Sequence, residues 1–205
     1  MPSSSVTSPE DVINLALVRI GYKTRIGSIW EGSLAAKKAL DCYAQTRDAM
    51  LRAFDWGFAE RNVALTLIKQ APVGGYVPPN TWSSAYPPPP WLAECVYPVD
   101  CLKVRSVKNV PMFVPNFSPQ PYLFSVDNDP SLSEPSKVVL CNVYPGILVY
   151  TGQITNCADW EPDYTEALAS ALGRRLAIVL DLPNAAQMAG QDEQVETLMA
   201  EDIRG

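Results

Sequence analysis

The distribution of proline divides the chain into three parts. Fifteen of its 19 prolines lie between Pro72 and Pro145, and the segments on either side are nearly free of them. A proline inside a helix removes a backbone hydrogen bond and clashes with the preceding turn. Long helices are therefore expected at the two ends of the chain and short extended segments in the middle.

The N-terminal part predicts two helices. Ser8 is placed to cap the first one, Pro9 suits its first position, and Asp11 lies where a carboxylate can meet free backbone amides. Gly21 is expected to end this helix. The second helix is predicted from about Ser33 to Phe54. Apolar residues at helical spacing predict the buried faces, which are Ile13, Leu17 and Ile20 in the first helix and Leu40, Tyr43, Met50, Leu51 and Phe54 in the second.

Between Trp56 and Ile154 the apolar residues alternate, as is typical of strands. Five strands are predicted, at 63–68, 101–107, 121–126, 137–143 and 147–152. In the second of these, Leu102, Val104 and Ser106 are expected on one face and Cys101, Lys103, Arg105 and Val107 on the other. YPGI (144–147) predicts a hairpin-like turn, and residues 71–91 predict a long Pro-rich loop without regular structure.

Helical spacing returns near the C-terminus. A helix is predicted to open at Asp159 or Pro162, and its buried face is expected to be Tyr164, Leu168, Leu172, Leu176 and Val179. Leu182-Pro183-Asn184 should break it before a last acidic helix at about 185–203. We therefore predict an α+β fold, in which N- and C-terminal helices (1–60 and 159–205) form a bundle interrupted by an inserted antiparallel β domain (61–158).

Composition narrows the functional classes. The chain has no histidine, which excludes Ser-His-Asp and Cys-His relays and His-ligated metal sites. A net charge of −6 argues against a broad nucleic-acid-binding surface. We expect no membrane span and no secretory signal, because neither a long apolar run nor a basic and apolar N-terminus is present. The cysteines are accordingly expected to stay reduced.

The segment CVYPVDCLKV (95–104) brings two cysteines close together in the sequence. A redox pair, half of a metal site and two buried packing residues are the alternatives for Cys95 and Cys101. Cys42, Cys141 and Cys157 are scattered, and no CxxC pair occurs. This pattern favours structural thiols, so no residue is assigned as catalytic, cofactor-binding or metal-binding.

Three other groups of residues are candidates for contacts. Trp82, Tyr86 and Trp91 interleave with prolines, as in loops that recognise peptides or glycans, although a loop that packs on a neighbouring subunit has the same composition. Gly173-Arg174-Arg175 is either a nucleic-acid or carboxylate contact or a solvated helix face. The third group is a set of acidic residues near the C-terminus. Two such carboxylates could serve a carboxylate-dependent hydrolase only if they were held across a cleft, and otherwise the group is a solvated helix face. Its members are Asp192, Glu193, Glu196, Glu201 and Asp202.

The order and spacing of these segments resemble the head-to-tail adaptors of tailed bacteriophages, the tail tubular protein A and head-completion group. Ile20-Gly21, Glu31 and Phe54-Asp55-Trp56 stand where that family ends its short helix, its loop and its long helix. YPVDCLKV (97–104) is similar to the family's entry into its β block, and 163–182 to its returning helix. The Pro-rich loop 72–90 departs from the family pattern.

The resemblance implies a structural virion protein rather than an enzyme, without a cofactor. Such proteins form a ring, usually of twelve copies, that docks beneath the portal, extends the DNA channel and offers the tail or nozzle protein a platform. The genome passes through the lumen without sequence-specific contacts, and no membrane is involved. The expected location is the head–tail junction of the virion, after assembly in the host cytoplasm. The helices at 33–54 and 163–182 would form the ring walls, and 197–205 would dock to the portal.

Charge along the chain suits such a ring. Residues 19–61 carry 8 basic and 5 acidic side chains, whereas 159–205 carry 3 basic and 10 acidic ones. Opposite charges on the two ends favour head-to-tail contacts between subunits of a closed ring. The alternative function is a β-rich recognition module that binds peptide or glycan through Trp82, Tyr86 and Trp91.

Overall fold

The computed structural model describes residues 6–76, 82–109, 121–133 and 137–182. Within these ranges the protein is a mixed α+β structure with three α-helices and two antiparallel sheets. The helices are α1 (Pro9–Arg19), α2 (Leu34–Ala53) and α3 (Pro162–Val179). The strands are β1 (Glu60–Ala64), β2 (Leu67–Gln70), β3 (Ala93–Val96), β4 (Cys101–Asn109), β5 (Pro121–Tyr122), β6 (Phe124–Asn128), β7 (Lys137–Cys141) and β8 (Gly146–Gly152).

The chain forms two compact units. Over the described residues, one unit contains the segment up to Phe54 and the segment from Ile154 onward, so that it holds all three helices. The other unit runs from Asp55 to Gln153 and holds both sheets. Because the sheets lie between two parts of the helical unit in sequence, the chain leaves that unit once and returns to it.

The start and end of α1 follow from its sequence. The Ser8 hydroxyl accepts a 3.2 Å hydrogen bond from the Asp11 amide, and the Asp11 carboxylate accepts a 3.0 Å bond from the Ser8 amide. This reciprocal capping box satisfies amides that have no partner inside the helix. Gly21 takes a φ of +72°, a left-handed conformation that glycine adopts without strain. The predicted cap and stop are confirmed.

In the helical unit α1 and α2 both pack against α3. The buried face of α2 runs through small side chains, since Ala35, Ala36 and Ala39 are fully or almost fully buried. Small residues let helix backbones approach closely, and they turn Leu40 outward. The prediction that Leu40 is buried is therefore wrong, whereas Tyr43 and Leu51 are buried as predicted.

Helix α3 opens at Pro162, one of the two predicted positions. Tyr164, Leu168, Leu172 and Leu176 are all inaccessible to solvent, which confirms most of its predicted face. Val179, the last residue of the helix, is exposed, and its predicted burial is wrong. The helical spacing of apolar residues continues to Val179, beyond the part of α3 that the neighbouring helices cover.

The β unit contains two four-stranded antiparallel sheets. The first has the order β1-β8-β4-β5 and the second the order β2-β3-β7-β6. One apolar cluster draws residues from both sheets, so the sheets pack on each other. Its buried members are Leu65, Ala93, Cys95, Tyr97, Cys101, Val107, Val139, Cys141, Leu148 and Tyr150.

Several predicted strands lie where expected, but their connections differ. The single strand predicted at 63–68 is the end of β1 and the start of β2, which belong to different sheets, and the strand predicted at 121–126 is likewise divided between β5 and β6. The 144–147 turn joins β7 to β8, which are also in different sheets, so it is not a hairpin. Strand β3 was not predicted. At the three connections β1–β2, β5–β6 and β7–β8 the chain crosses from one sheet to the other, which local alternation does not reveal.

The alternation predicted for β4 is also wrong. Its pairing with β8 shifts register between Cys101 and Lys103 and again between Val104 and Ser106. An irregularity of this kind moves the following side chains to the other face of the strand. As a result, Cys101, Val104 and Val107 all contact the same apolar cluster.

Three predictions fall partly or wholly outside the described residues. The helix at 185–203, with its acidic side chains, and the segment 197–205 lie there. Of the loop at 71–91, the structure describes 71–76 and 82–91, and neither stretch contains a helix or a strand. In the parts of the chain that are described, no helix is long and apolar enough to cross a membrane.

Candidate functional site

A groove of about 230 Å³ lies in the β unit, on the face of the second sheet opposite the apolar cluster. Cross-strand pairing explains which residues reach it: Lys69 on β2 is opposite Glu94 on β3, and Glu94 is opposite Leu140 on β7. The next residue, Cys95, points into the cluster because side chains alternate along a strand. One face of the sheet thus carries the core and the other carries the groove.

Loops close two sides of the groove. Trp82, Tyr86 and Pro88 line it from the Pro-rich loop, and the turn after β6 contributes Asp129 and Ser131. The Trp82 indole N–H donates a 3.1 Å hydrogen bond to the Pro87 carbonyl, which holds the tryptophan within its own loop. The Tyr76 and Tyr86 rings meet edge to face with centroids 6.3 Å apart.

The floor of the groove is a cluster of charged side chains. The Lys69 ammonium contacts the Asp129 carboxylate and donates a 2.9 Å hydrogen bond to the Ser131 hydroxyl. Its distance to Glu94 Oε1 is 3.6 Å, within the range of an ion pair but too long for a hydrogen bond. Ser131 in turn donates to Asp129, through its hydroxyl at 3.0 Å and through its amide at 2.8 Å. Lys69 and Asp129 are thus largely occupied by one another.

Glu94 is the unusual member of this cluster. The residue is 2% exposed, and its Oε1 has no hydrogen-bond partner within the described chain. Burial raises the pKa of Glu94 to about 7, and the neighbouring Asp129 adds to this effect, while the positive charge of Lys69 opposes it. Buried polar atoms nearly always have a partner, so an acceptor without one, at the base of a groove, marks a place where a donor can bind.

Asp129 behaves in the opposite way. Burial on its own would raise its pKa, but the hydrogen bonds from Lys69 and Ser131 outweigh burial and hold the pKa well below its ordinary value. Asp129 is therefore a permanent anion near neutral pH, and Glu94 is the group whose charge changes there. Asp127 adds a third carboxylate, against one lysine, to the part of the groove that the described residues line.

The structure brings together two of the three aromatic residues that the sequence singled out. Trp82 and Tyr86 line the groove, whereas Trp91 is not among its lining residues. The charged residues Lys69, Glu94 and Asp129 were missed by sequence reasoning. Lys69 and Asp129 lie 60 positions apart, and only strand pairing places Glu94 beside them. An isolated Glu in the apolar run LAECV was the one available signal.

A second candidate feature lies in the helical unit, in the loop between α1 and α2. Its backbone is held by side chains. The Asn14 amide brackets Ile26 with hydrogen bonds of 2.8 and 2.9 Å to its backbone N–H and C=O, and the Glu10 carboxylate accepts a 3.1 Å bond from the Ile29 amide. Ile26 and Ile29 are buried. The loop is therefore an ordered part of the unit.

Glu31 fixes the end of this loop. Its carboxylate accepts hydrogen bonds from the Gly27 and Ser28 amides at 2.8 and 3.3 Å and from the Ser33 hydroxyl at 2.6 Å. The bond from Ser33, followed by those from the amides, lowers the pKa of Glu31. Ser33 also caps α2, since its hydroxyl accepts a 3.2 Å bond from the Ala36 amide.

Trp30 projects from the loop that these bonds hold. Its side chain is 77% exposed, and the nearby Leu34 is 59% exposed. We call the segment 26–34 the Trp30 loop. It combines a fixed backbone with an apolar side chain that contributes nothing to the core of its own unit, a combination typical of contact surfaces.

The five cysteines are free thiols, and all except the half-buried Cys42 are buried. Cys95, Cys101 and Cys141 belong to the apolar cluster between the sheets. A hydrogen bond with Cys141, together with burial, raises the pKa of Cys95 far above its ordinary value, so this thiol is neutral at physiological pH. Among the residues that the structure describes, no three His, Cys, Asp or Glu side chains are grouped so that they could hold a metal ion.

The Gly173-Arg174-Arg175 segment has two roles. Gly173 faces α1 so closely that a Cβ there would lie 3.1 Å from the Ala16 carbonyl oxygen. Arg174 and Arg175 instead line a shallow groove between α2 and α3 with Thr46 and Ile178. The glycine serves helix packing, and the arginines lie at the surface of the helical unit.

No protein-family model matches the chain, and no curated protein matches its sequence.

Proposed function

We propose that this protein is a head-to-tail connector subunit of a tailed bacteriophage, a structural protein that assembles into a ring beneath the portal. The observation that carries the proposal is the Trp30 loop. Its backbone is held by Asn14, Glu10 and Glu31, yet Trp30 and Leu34 remain exposed. A pre-ordered apolar surface binds a partner with little loss of conformational entropy.

The position of this loop supports the proposal. Glu31 stands where the resembling family ends the loop before its long helix, and here it is the residue that holds the loop in shape. The exposed apolar residues of the helical unit also include Val18, Leu40 and Ile178. In a ring, such residues would be covered by neighbouring subunits or by the portal.

The proposal assigns a role to each unit. The helices from both ends of the chain would form one bundle that serves as the wall of the ring, and the inserted β unit would face the tail as its platform. The ring would contain about twelve subunits, as the resemblance implies, and would conduct DNA without binding it specifically. The segment 197–205 would dock to the portal, and its deletion is expected to weaken portal attachment while leaving the helical unit folded.

Trp30→Ala tests the proposal directly. Because Trp30 is exposed, the substitution is expected to leave the free energy of unfolding within about 0.5 kcal/mol of the parent. It should nevertheless reduce assembly, measured by light scattering of the chain alone and after mixing with the portal protein. Val73→Ser, which alters a fully exposed apolar residue of the β unit, is the matched control. Equal assembly of Trp30→Ala and the parent would contradict the role given to this loop.

A further inference from the structure

We propose that the groove of the β unit binds a lysine or arginine side chain presented by a partner polypeptide. This binding site does not depend on ring formation and would be present in the isolated chain. Four features of the groove lead to this ligand: the acceptor at its floor, its balance of charge, its aromatic walls and its size.

The floor needs a hydrogen-bond donor. Among the described residues, Glu94 Oε1 is buried without a hydrogen-bond partner. Lys69 Nζ forms an ion pair with it at 3.6 Å but is already hydrogen-bonded to Asp129 and Ser131. A buried carboxylate oxygen left in this state costs free energy that an incoming N–H group recovers. The bond formed would be charge-assisted, which makes it stronger than one between neutral groups.

The charge of the groove selects a cation. Among the described residues that line it, three are acidic (Glu94, Asp127 and Asp129) and one, Lys69, is basic. With all of these groups ionised, the lining carries an excess of negative charge that one ammonium or guanidinium group would reduce. An anionic ligand would have to displace Asp129 from Lys69 and would leave a buried carboxylate unpaired, which is strongly unfavourable.

The walls suit an alkyl chain that ends in a cation. Trp82 and Tyr86 line one side, and Val138 and Leu140 form part of the base. Aromatic rings attract cations through their electron-rich faces, and the aliphatic stem of a lysine or arginine packs on apolar surface while its charged end reaches a polar group. The groove therefore offers an apolar path that leads to a carboxylate.

The size of the groove and its surroundings favour a polypeptide as the source of this cation. A volume of about 230 Å³ is small beside the ~300–1,000 Å³ of sites that enclose whole small molecules. Around it, Trp82 and Tyr86 are partly exposed, and so is Val96, which pairs with the groove residue Val138. These exposed apolar groups would contact the backbone and neighbouring side chains of a partner whose single basic residue enters the groove.

A hydrolytic role for the two carboxylates fits less well. Asp129 is held by Lys69 and Ser131, and it also interacts directly with Glu94. Glycosidase carboxylates instead face each other across a gap of about 5 Å or more that admits the substrate. Glu94 and Asp129 form one linked cluster with no such gap between them.

The test uses the full chain and three blocked tripeptides, Ac-Ala-Arg-Ala-NH2, Ac-Ala-Lys-Ala-NH2 and the neutral Ac-Ala-Gln-Ala-NH2, with a methyl glycoside as a fourth probe. Binding is followed by amide chemical shifts in a titration at pH 8. The basic peptides are expected to shift resonances of β2, β3 and β6 in a saturable manner with millimolar affinity, and the two neutral probes are not. A glycoside that saturates the same resonances, a glutamine peptide that binds as tightly as the arginine peptide, or no saturable shift at all would overturn the proposal.

A pair of variants locates the binding to Glu94. Glu94→Gln keeps the shape of the side chain but removes its charge, and it is expected to weaken binding of the arginine peptide at least about tenfold. Glu161→Gln makes the same change of net charge at an exposed position of the helical unit and should have no effect. Circular dichroism confirms that both variants are folded. Unchanged affinity in a folded Glu94→Gln protein would overturn the assignment.

The pH dependence supplies an independent check. Binding a cation requires ionised Glu94, whose pKa in the free protein is about 7. Despite burial, hydrogen bonds from Lys69 and Ser131 hold the pKa of Asp129 well below its ordinary value, so Asp129 stays ionised over the same range. Affinity for the arginine peptide should therefore fall when the pH is lowered from 8 to 6, by close to tenfold if the proton and the ligand exclude each other. Affinity that is constant over this range would contradict binding through Glu94.

Discussion

Arg105 Nη2 donates a 2.7 Å hydrogen bond to the backbone carbonyl of Trp56. The same guanidinium group donates to the Thr151 hydroxyl at 2.9 Å and to the Glu60 carboxylate at 3.2 Å, and its side chain is only 8% exposed. Arg105 lies on β4, Thr151 on β8 and Glu60 on β1. The arginine thus ties the segment that enters the β unit to three adjacent strands of the first sheet.

Replacing Arg105 should destabilise the β unit. Arg105→Met keeps much of the aliphatic length but removes all three hydrogen bonds, and it should lower the free energy of unfolding by about 2–3 kcal/mol. Lys103→Met is the control. Lys103 lies on the same strand as Arg105 and pairs with Asp55 at 3.0 Å, but both side chains are exposed, and exposed pairs contribute about 0–1 kcal/mol. Urea denaturation of both variants measures the difference. Equal losses would show that the buried network contributes no more than a surface pair.

Glu94 predicts how stability depends on pH. Its pKa is raised to about 7 by burial, so the folded state binds this proton more tightly than the unfolded state does. The contribution of Glu94 to stability is therefore complete at low pH and is lost as the pH rises through 7. Between about pH 5 and pH 8 the loss is on the order of 3 kcal/mol, at about 1.4 kcal/mol per pKa unit.

Glu94→Gln separates this contribution from others. The variant has no charge to bury, so it should be more stable than the parent at pH 8 and nearly equal to it at pH 5. Thermal melting at the two pH values measures both differences, and Glu161→Gln should retain the pH dependence of the parent. A parent-like pH dependence in Glu94→Gln would mean that another group is responsible.

The local features of the helices could be read from the sequence because their causes are local. Ser8, Pro9 and Asp11 act within one turn, and Gly21 responds to the conformation of its own backbone. The order of the β strands depends instead on which layer each segment joins. Nothing near Leu65 signals that β1 and β2 enter different sheets, and nothing near Val104 signals the register shifts of β4.

The residues of the groove were even harder to predict from the sequence than the order of the strands. Trp82 and Tyr86 could be selected from composition, because aromatic residues among prolines are unusual. Lys69, Glu94 and Asp129 each look ordinary in sequence, and their chemistry arises only when β2, β3 and β6 bring them to one end of a sheet. The pKa of Glu94 is raised because the side chain is buried and because Asp129 lies beside it.

Gly173 predicts a limit on side-chain size where α1 crosses α3. A Cβ at this position would lie 3.1 Å from the Ala16 carbonyl oxygen and 3.3 Å from the Ile20 side chain. Gly173→Val should therefore force the helices apart and cost about 1–3 kcal/mol. Arg175→Val introduces the same β-branched residue at an exposed position of α3, where only its weaker helix propensity matters. Chemical denaturation that ranked Arg175→Val as the more damaging change would contradict this packing.

Salt should weaken assembly if the two ends of the chain contribute to contacts between subunits. Residues 19–61 carry 8 basic and 5 acidic side chains, whereas residues 159–205 carry 3 basic and 10 acidic ones. At roughly 1 M salt, exposed charges are screened beyond about 3 Å, so rings should dissociate or form more slowly than in dilute buffer. Sedimentation velocity at the two salt concentrations measures the effect. Assembly that is indifferent to roughly 1 M salt would contradict a role for these charges in the contacts between subunits.

Electron microscopy of the purified protein, alone and mixed with the portal protein, shows whether this chain forms a connector ring. We expect closed rings with a central channel, of about twelve subunits, either free or stacked coaxially on the portal. A protein that remains monomeric under both conditions, with no density added to the portal, would contradict the proposed connector role.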